Sequence, residues 1–251
     1  MRIVSLCPSL TELVFDLGRG PELVGITQYC VHPAEGVARV EKVGGTKSPN
    51  VRRIVELRPD LVLLNEEENR REDAEELARA GLACHASLPH DATETAAMVR
   101  SIGAALERRE RAEEIASDIE RRDARVRGEA ALARKLRFAY LIWRKPWMSV
   151  NADTYASALL EAAGGENVFG REQERYPEIT TARLAEEAPE RVFLCTEPFA
   201  FLPRHADELA RETGIARERF VVADGEYLSW HGSRTPDGID YAAGLVRAAR
   251  S

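Results

Sequence analysis

The sequence lacks the signatures that most enzymes carry. Its 251 residues contain no G-x-G-x-x-G after the first apolar run, no G-x-x-x-x-G-K-[ST] and no G-x-S-x-G elbow. Those absences remove the phosphate cradles and the activated serine that such motifs build. CxxC, HExxH and EF-hand spacings are missing as well, and four cysteines in so long a chain form no disulfide framework. No apolar run nears the length that spans a bilayer, since Leu61–Leu64 and Phe138–Trp143 are strand-sized. Basic blocks are absent too, and 42 acidic against 35 basic side chains leave a formal charge of −7. A nucleic-acid partner is therefore not expected. No charged n-region, apolar h-region or cleavage site precedes the first apolar run, Ile3–Leu6. The expectation is a cytoplasmic protein or a trimmed mature form.

What is present is apolar residues, 44% of the chain, in short runs that alternate with helical patterns. The alternation predicts an α/β protein whose parallel sheets are covered on both faces. Ser9 and Glu12 have the spacing of a capping box for a helix Leu10–Leu17. Leu106–Lys135 is the most charged stretch, LERRERAEEIASDIERRDARVRGEAALARK, with no proline and one glycine. Leu106, Ile115, Ile119 and Val126 form a thin apolar stripe along it. Thirty helical residues span about 45 Å, too long for one small domain, so this stretch is read as a rigid bridge.

On either side of the bridge the same pattern occurs twice. IVELRPDLVLL (54–64) lies over LAEEAPERVFL (184–194), and AEELARAG (74–81) over ADELARETG (206–214). The first pair is offset by 130 residues and the second by 132, becoming 133 at the glycine. The expected organisation is an N-terminal α/β lobe (1–105), a bridging helix (106–135) and a C-terminal α/β lobe (136–251), both lobes Rossmann-like with parallel sheets.

Two such lobes leave a cleft facing the carboxyl ends of the strands, where α/β proteins take ligands. Post-strand segments are therefore the ones to read. In the first lobe they hold Cys7, Tyr29, Cys30, His32, Thr46 and the acidic run Glu66–Glu68. In the second they hold all three tryptophans, Trp143, Trp147 and Trp230, with Glu197; Tyr176 lies in another loop. Flat rings stack on flat ligands at little entropic cost, which suits a planar macrocycle. A thiol and an imidazole at Cys30 and His32 are a candidate metal pair. Cys84 and Cys195 lie in strand-like runs and read as buried small hydrophobes.

These stretches together resemble a family: the helical-backbone (class III) periplasmic substrate-binding proteins of ABC importers, closest to the cobalamin-binding branch. The resemblance is carried by VSLCPSLTEL (4–13), VGITQYCVHP (24–33), VGGT (43–46), LRPDLV (57–62), GGENVF (164–169), Tyr176-Pro177 and SWHGSR (229–234). It implies two lobes, a long connecting helix, a small hinge motion and no catalysis. Trp147, Tyr176 and Trp230 match positions where cobalamin binders set aromatic rings on the ligand, and Tyr29 matches a first-lobe tyrosine. Thr46 and Asn65 stand where those proteins hold tryptophans, His32 where they hold a tyrosine, and Cys30 where they hold a serine. The docking glutamate for the importer permease aligns to Arg71, with Glu72 beside it.

The expected protein is a monomeric, non-enzymatic binding protein for a metal-containing macrocycle or chelate such as cobalamin, haem or a ferric chelate. Its ligand-binding residues are Tyr29, Cys30, His32, Thr46, Glu67, Trp143, Trp147, Tyr176, Glu197 and Trp230. An ABC importer permease is the expected protein partner. The bound species, cobalamin or another chelate, is ligand rather than resident cofactor. Two alternatives stand beside it: a cytosolic metal-handling protein or enzyme using Cys7, Cys30 and His32, and a protein that recognises another protein and no small molecule.

Overall fold

A computed structural model describes residues 1–250. In chain order its elements are β1 (Ile3–Ser5), α1 (Pro8–Asp16), β2 (Leu23–Ile26), α2 (Ala34–Val37), α3 (Val51–Leu57), β3 (Leu61–Asn65), α4 (Arg71–Arg79), β4 (Cys84–Ser87), α5 (Ala92–Ala105) and α6 (Arg109–Ala130). There follow β5 (Leu136–Trp143), β6 (Trp147–Ser149), α7 (Tyr155–Ala162), β7 (Gly165–Asn167), β8 (Glu178–Ile179), α8 (Thr181–Glu187), β9 (Arg191–Cys195), α9 (Pro203–Thr213), β10 (Phe220–Ala223), α10 (Gly225–Ser229) and α11 (Thr235–Arg250). The chain divides into two compact units. Unit 1 holds Met1–Pro89, Glu94–Ser117 and His231–Arg234; unit 2 holds His90–Thr93, Asp118–Trp230 and the residues from Thr235 onward.

Unit 1 is built on a four-stranded parallel sheet of order β2-β1-β3-β4. Val4, Leu6, Val62 and Leu64 point one way from it, and Val43, Ile54 and Leu77 close over them as one apolar cluster. Unit 2 has a six-stranded sheet of order β10-β9-β5-β6-β8, with β7 also paired to β5. The expected parallel pairing holds here for β10-β9, β9-β5 and β5-β7. The sheet departs from it on one side, where β6 runs antiparallel to β5, and β8 antiparallel to β6. Lys145 and Pro146 turn the chain back after Trp143, so β6 forms a hairpin with β5 rather than a post-strand loop. Ala139, Leu141, Val192 and Leu194 on β5 and β9 anchor the core of this unit with Phe169, Phe201 and Leu209.

The internal repeat extends to single hydrogen bonds. Asn50 caps α3 by accepting the Arg53 N–H at 3.0 Å, and Thr180 caps α8 by accepting the Arg183 N–H at 3.1 Å. Both seven-residue helices end on a left-handed residue, Arg58 (φ 48°) and Ala188 (φ 45°), ahead of a proline. The next residue then clips the neighbouring strand. Asp60 accepts the Arg2 N–H at 2.6 Å, and Glu190 accepts the Arg137 N–H at 3.0 Å. Their own amides donate to Arg2 O and Arg137 O, each at 2.8 Å.

The charged helix is shorter than its composition suggests. Leu106 closes α5 by donating to Ile102 O, Glu107 turns left-handed (φ 55°), and α6 covers only Arg109–Ala130. Its 22 residues span about 33 Å, not 45 Å. Gly103 faces Ala112 so closely that a Cβ on the glycine would lie 2.1 Å from the alanine Cβ, so α5 and α6 turn back on each other there. The apolar stripe does hold, with Leu106, Ile115, Ile119 and Val126 all buried. Farther along, Arg122 reaches Asp118 within α6 and Asp237 and Asp240 on α11.

Candidate functional site

In unit 1 the carboxyl ends of β1 and β3 meet in a buried polar network. α1 starts directly after β1, with Cys7 as its N-cap residue and Pro8 in its first turn. The capping box expected at Ser9 and Glu12 does not form, because the helix begins two residues earlier and both side chains are used elsewhere. Ser9 Oγ lies 3.3 Å from Cys7 Sγ and 3.5 Å from His231 Nε2. Glu12 binds Arg234 through both carboxylate oxygens, at 2.9 and 2.6 Å, with the two side chains only 17% and 15% exposed.

Asn65 ends β3 and organises the acidic turn beyond it. Its Oδ1 accepts the N–H groups of Glu67 and Glu68, each at 3.0 Å, which fixes the orientation of the amide. Its Nδ2 therefore donates to Ser87 O at 3.0 Å and faces His231 Nε2 at 3.2 Å. That ring nitrogen must act as the acceptor, which places the imidazole proton on Nδ1. Asn69 adds three bonds, accepting from Asn65 N and donating to Leu6 O and Thr46 O. Asn65, at a position the resemblance assigned to ligand, is thus committed to the frame.

The remaining unit 1 residues of interest separate. Cys30 is buried, its sulfur 3.1 Å from Thr11 Oγ1 and 3.2 Å from Thr27 Oγ1. Burial, with the Glu68 charge nearby, pushes the Cys7 thiol up to about 12, so it stays protonated. Among the described residues no three His, Cys, Asp or Glu side chains converge as a metal set. Thr46 is buried and its hydroxyl serves Glu68, whose carboxyl is pushed up by burial. The acidic run is therefore not a uniformly solvated face: Glu66 is exposed, while Glu67 and Glu68 are half-buried. Lys47 donates to Glu67 O at 2.5 Å. Tyr29 stands out, 54% exposed, and His32 is half-buried. Cys84, expected inside, is exposed on β4, where alternate residues face out.

Unit 2 gathers the aromatic residues. Trp143, the last residue of β5, is 40% exposed and meets Phe199 edge-on at 5.8 Å. Trp147, the first of β6, stacks on Phe201 at 6.2 Å and 12°. Phe199 and Phe201 pack edge-to-face at 4.8 Å, and His205 lies 5.3 and 5.6 Å from them. Arg144 crosses the Trp147 ring at 5.6 Å and is held by Glu208 at 3.0 Å. Arg175 lies 6.0 Å from the Tyr176 ring and pairs with Asp153 at 2.8 Å. Trp230, by contrast, is buried, donating its indole N–H to Glu197 Oε2 at 2.7 Å. Behind Glu197 runs a second chain of bonds: Tyr140 donates to Cys195 Sγ, and Cys195 to Glu197 O, each at 2.6 Å. Cys195 is buried, as expected, and burial lifts its thiol to about 11.

Phe201, His205, Arg175 and the Glu12–Arg234 pair were not singled out from the sequence. A phenylalanine at every second position after β9 (Phe199, Phe201) was the one visible signal. The polar residues gave none, since their partners lie up to 222 positions away.

A family model described as periplasmic binding protein matches residues 3–224. The chain belongs to that family. The vitamin B12-binding protein of Vibrio cholerae serotype O1 is 21% identical over 249 residues, which cover 99% of this chain and 90% of that one. The crystal structure of a periplasmic vitamin B12-binding protein of Vibrio cholerae superposes with a TM-score of 0.86 at 21% identity, covering 100% of this chain and 98% of that one. A periplasmic haem-binding protein from Roseiflexus sp. RS-1, in apo form, superposes at 0.85 and 22% identity, covering 99% and 98%. For a periplasmic binding protein of this fold, the expected α/β class holds, in two compact α/β units. No helix among the described residues is long and apolar enough to cross a membrane. Glu72, the docking residue named from the sequence, is exposed in the first turn of α4.

Proposed function

We propose that this periplasmic binding protein is a non-enzymatic carrier for a metal-containing macrocycle of the corrinoid or haem kind, and that it delivers this ligand to an ABC importer permease. The observation that carries the reading is the aromatic array of unit 2. Trp143 and Trp147 are set by a β-hairpin and backed by Phe199 and Phe201, so two indoles are held in place before any ligand arrives. Rigid aromatic surface binds a flat macrocycle with little ordering cost. The names of the relatives, vitamin B12-binding and haem-binding, support the same ligand class.

Within this reading Trp143, Trp147 and Tyr176 supply apolar surface. Trp230 and Glu197 hold each other and shape the adjoining α10 segment. In unit 1, Tyr29 is exposed and His32 is half-buried. Cys30, Thr46 and Asn65 serve the frame, and Glu67 stands at the end of β3. Glu72 remains our proposal for a permease contact on unit 1.

Trp147→Ala tests the array. With Phe201 still behind it, the variant is expected to fold and to bind cyanocobalamin or haemin about 1–3 kcal/mol more weakly, as for a central aromatic anchor. Calorimetry on wild type and variant reads this directly, and equal affinities would remove Trp147 from the site.

A further inference from the structure

His205 sits beneath the aromatic array and has no part in the ligand reading so far. It is buried, 5% exposed, in the first turn of α9. Its Nδ1 accepts the Leu202 N–H at 2.9 Å, and its own backbone N–H donates to Leu202 O at 2.9 Å. The two bonds form a reciprocal cap between a loop residue and the third residue of the helix. Because a backbone N–H can only donate, Nδ1 must be a lone pair, and the ring is the neutral tautomer with its proton on Nε2. The loop it closes, 196–202, carries Glu197, Phe199 and Phe201, and the two phenylalanines back Trp143 and Trp147.

We propose that neutral His205 is a positioning residue for the aromatic site, and that its protonation in acid uncaps α9, loosens the 196–202 loop and weakens ligand binding. A second proton would have to sit on Nδ1, opposite the Leu202 N–H, so the cap bond and the charged ring exclude each other. The charged groups facing the ring are Arg204 and Glu208 from α9 and Arg144 from the β5–β6 turn. Burial, then Arg204 and Arg144, lower the tendency of His205 to take up a proton, and Glu208 opposes them. A base held below its ordinary range stabilises the folded loop above that range, and this contribution is lost as pH falls through the lowered value. The switch therefore lies on the acid side of the usual histidine midpoint of about 6.5.

Amide hydrogen exchange reads the loop without any ligand. In wild type, protection of the Leu202 amide should hold at neutral pH and fall roughly tenfold or more once His205 is protonated. His205→Asn offers a carboxamide oxygen near the position of Nδ1 and carries no titrating group, so its Leu202 protection should stay flat across the same range. His205→Ala should lack the protection at every pH. A cyanocobalamin titration over the same range should show affinity falling in acid for wild type and much less for His205→Asn; this arm alone rests on the proposed ligand class. If wild type and His205→Asn lose protection in parallel, or nitrogen NMR finds Nδ1 protonated at neutral pH, the proposal fails. Absence of cyanocobalamin binding with the exchange pattern intact would overturn the ligand reading and leave the role of His205 standing.

Discussion

Arg234→Ala is expected to destabilise unit 1 by about 3 kcal/mol or more, because it strands the largely buried Glu12 carboxylate. The pair is bidentate, at 2.9 and 2.6 Å, and both side chains are more than four-fifths covered. An exposed ion pair of the same geometry is worth well under about 1 kcal/mol. The magnitude therefore comes from burial, not from charge alone. Arg234 ends the short stretch His231–Arg234 that belongs to unit 1, whereas the chain before and after it belongs to unit 2. Losing it should also loosen His231 from Ser9 and Asn65. Urea unfolding of wild type, Arg234→Ala, Glu12→Gln and the double variant would measure the effect. The double variant should recover part of the loss, since no carboxylate is then left without its partner. A cost below about 1 kcal/mol for Arg234→Ala would mean that solvent screens the pair.

Asn65→Ala is expected to be as damaging, at roughly 3–5 kcal/mol, for a different reason. One carboxamide accepts two backbone N–H groups and donates to Ser87 O and His231 Nε2, all at 3.0–3.2 Å inside the protein. Truncation takes their side-chain acceptor from the Glu67 and Glu68 N–H groups. It also takes one of two partners from Ser87 O and His231 Nε2, which keep the Glu66 N–H and Ser9 Oγ. Each bond lost from a buried polar group costs about 1–3 kcal/mol, less than additively. Asn65→Asp separates the two halves of the role. It keeps both acceptor bonds to Glu67 and Glu68 but has no N–H for Ser87 O or for the His231 lone pair. Its loss should fall between wild type and Asn65→Ala at neutral pH, as measured by denaturant midpoints. A neutral effect of Asn65→Ala would show that the end of β3 does not depend on this side chain.

These two residues also show where the sequence stops being legible. The fold was readable because helix periods, proline stops and glycine ends are local, and because the repeat at offset 130 doubled the signal. Asn50 and Thr180, or Asp60 and Glu190, take the same roles because they hold the same place in that repeat. The bridge was legible in composition but not in length. Glutamate, arginine and alanine favour helix on both sides of Leu106, and nothing local announces that Glu107 will turn left-handed where α5 and α6 meet at Gly103 and Ala112. The hairpin that makes Trp147 part of a strand was hidden similarly, since a tryptophan after a short turn reads equally well as loop.

The candidate site was half legible. All three tryptophans were found by asking which residues follow strands, yet exposure sorts them differently: Trp143 and Trp147 keep open surface, and Trp230 is buried on Glu197. Cys30 and Thr46 looked available for a ligand because a thiol and a hydroxyl at a strand end are suggestive. The structure sets both among buried polar partners contributed by other segments. Such satisfaction is a long-range property, and a single sequence does not encode it in any spacing. The same holds for His205, whose neighbours within α9 are legible but whose place beneath two phenylalanines is not.

The central claim, that a preformed aromatic face takes a metal-containing macrocycle, is most directly tested by calorimetric titration of the purified chain with cyanocobalamin, aquocobalamin, haemin and a ferric chelate, with visible spectra followed in parallel. The account predicts one saturable, spectrally shifted complex with a dissociation constant of about 1 μM or tighter for at least one of the macrocycles, equivalent to roughly 8 kcal/mol. Neither heat nor a spectral change for any of them at tens of micromolar would contradict it.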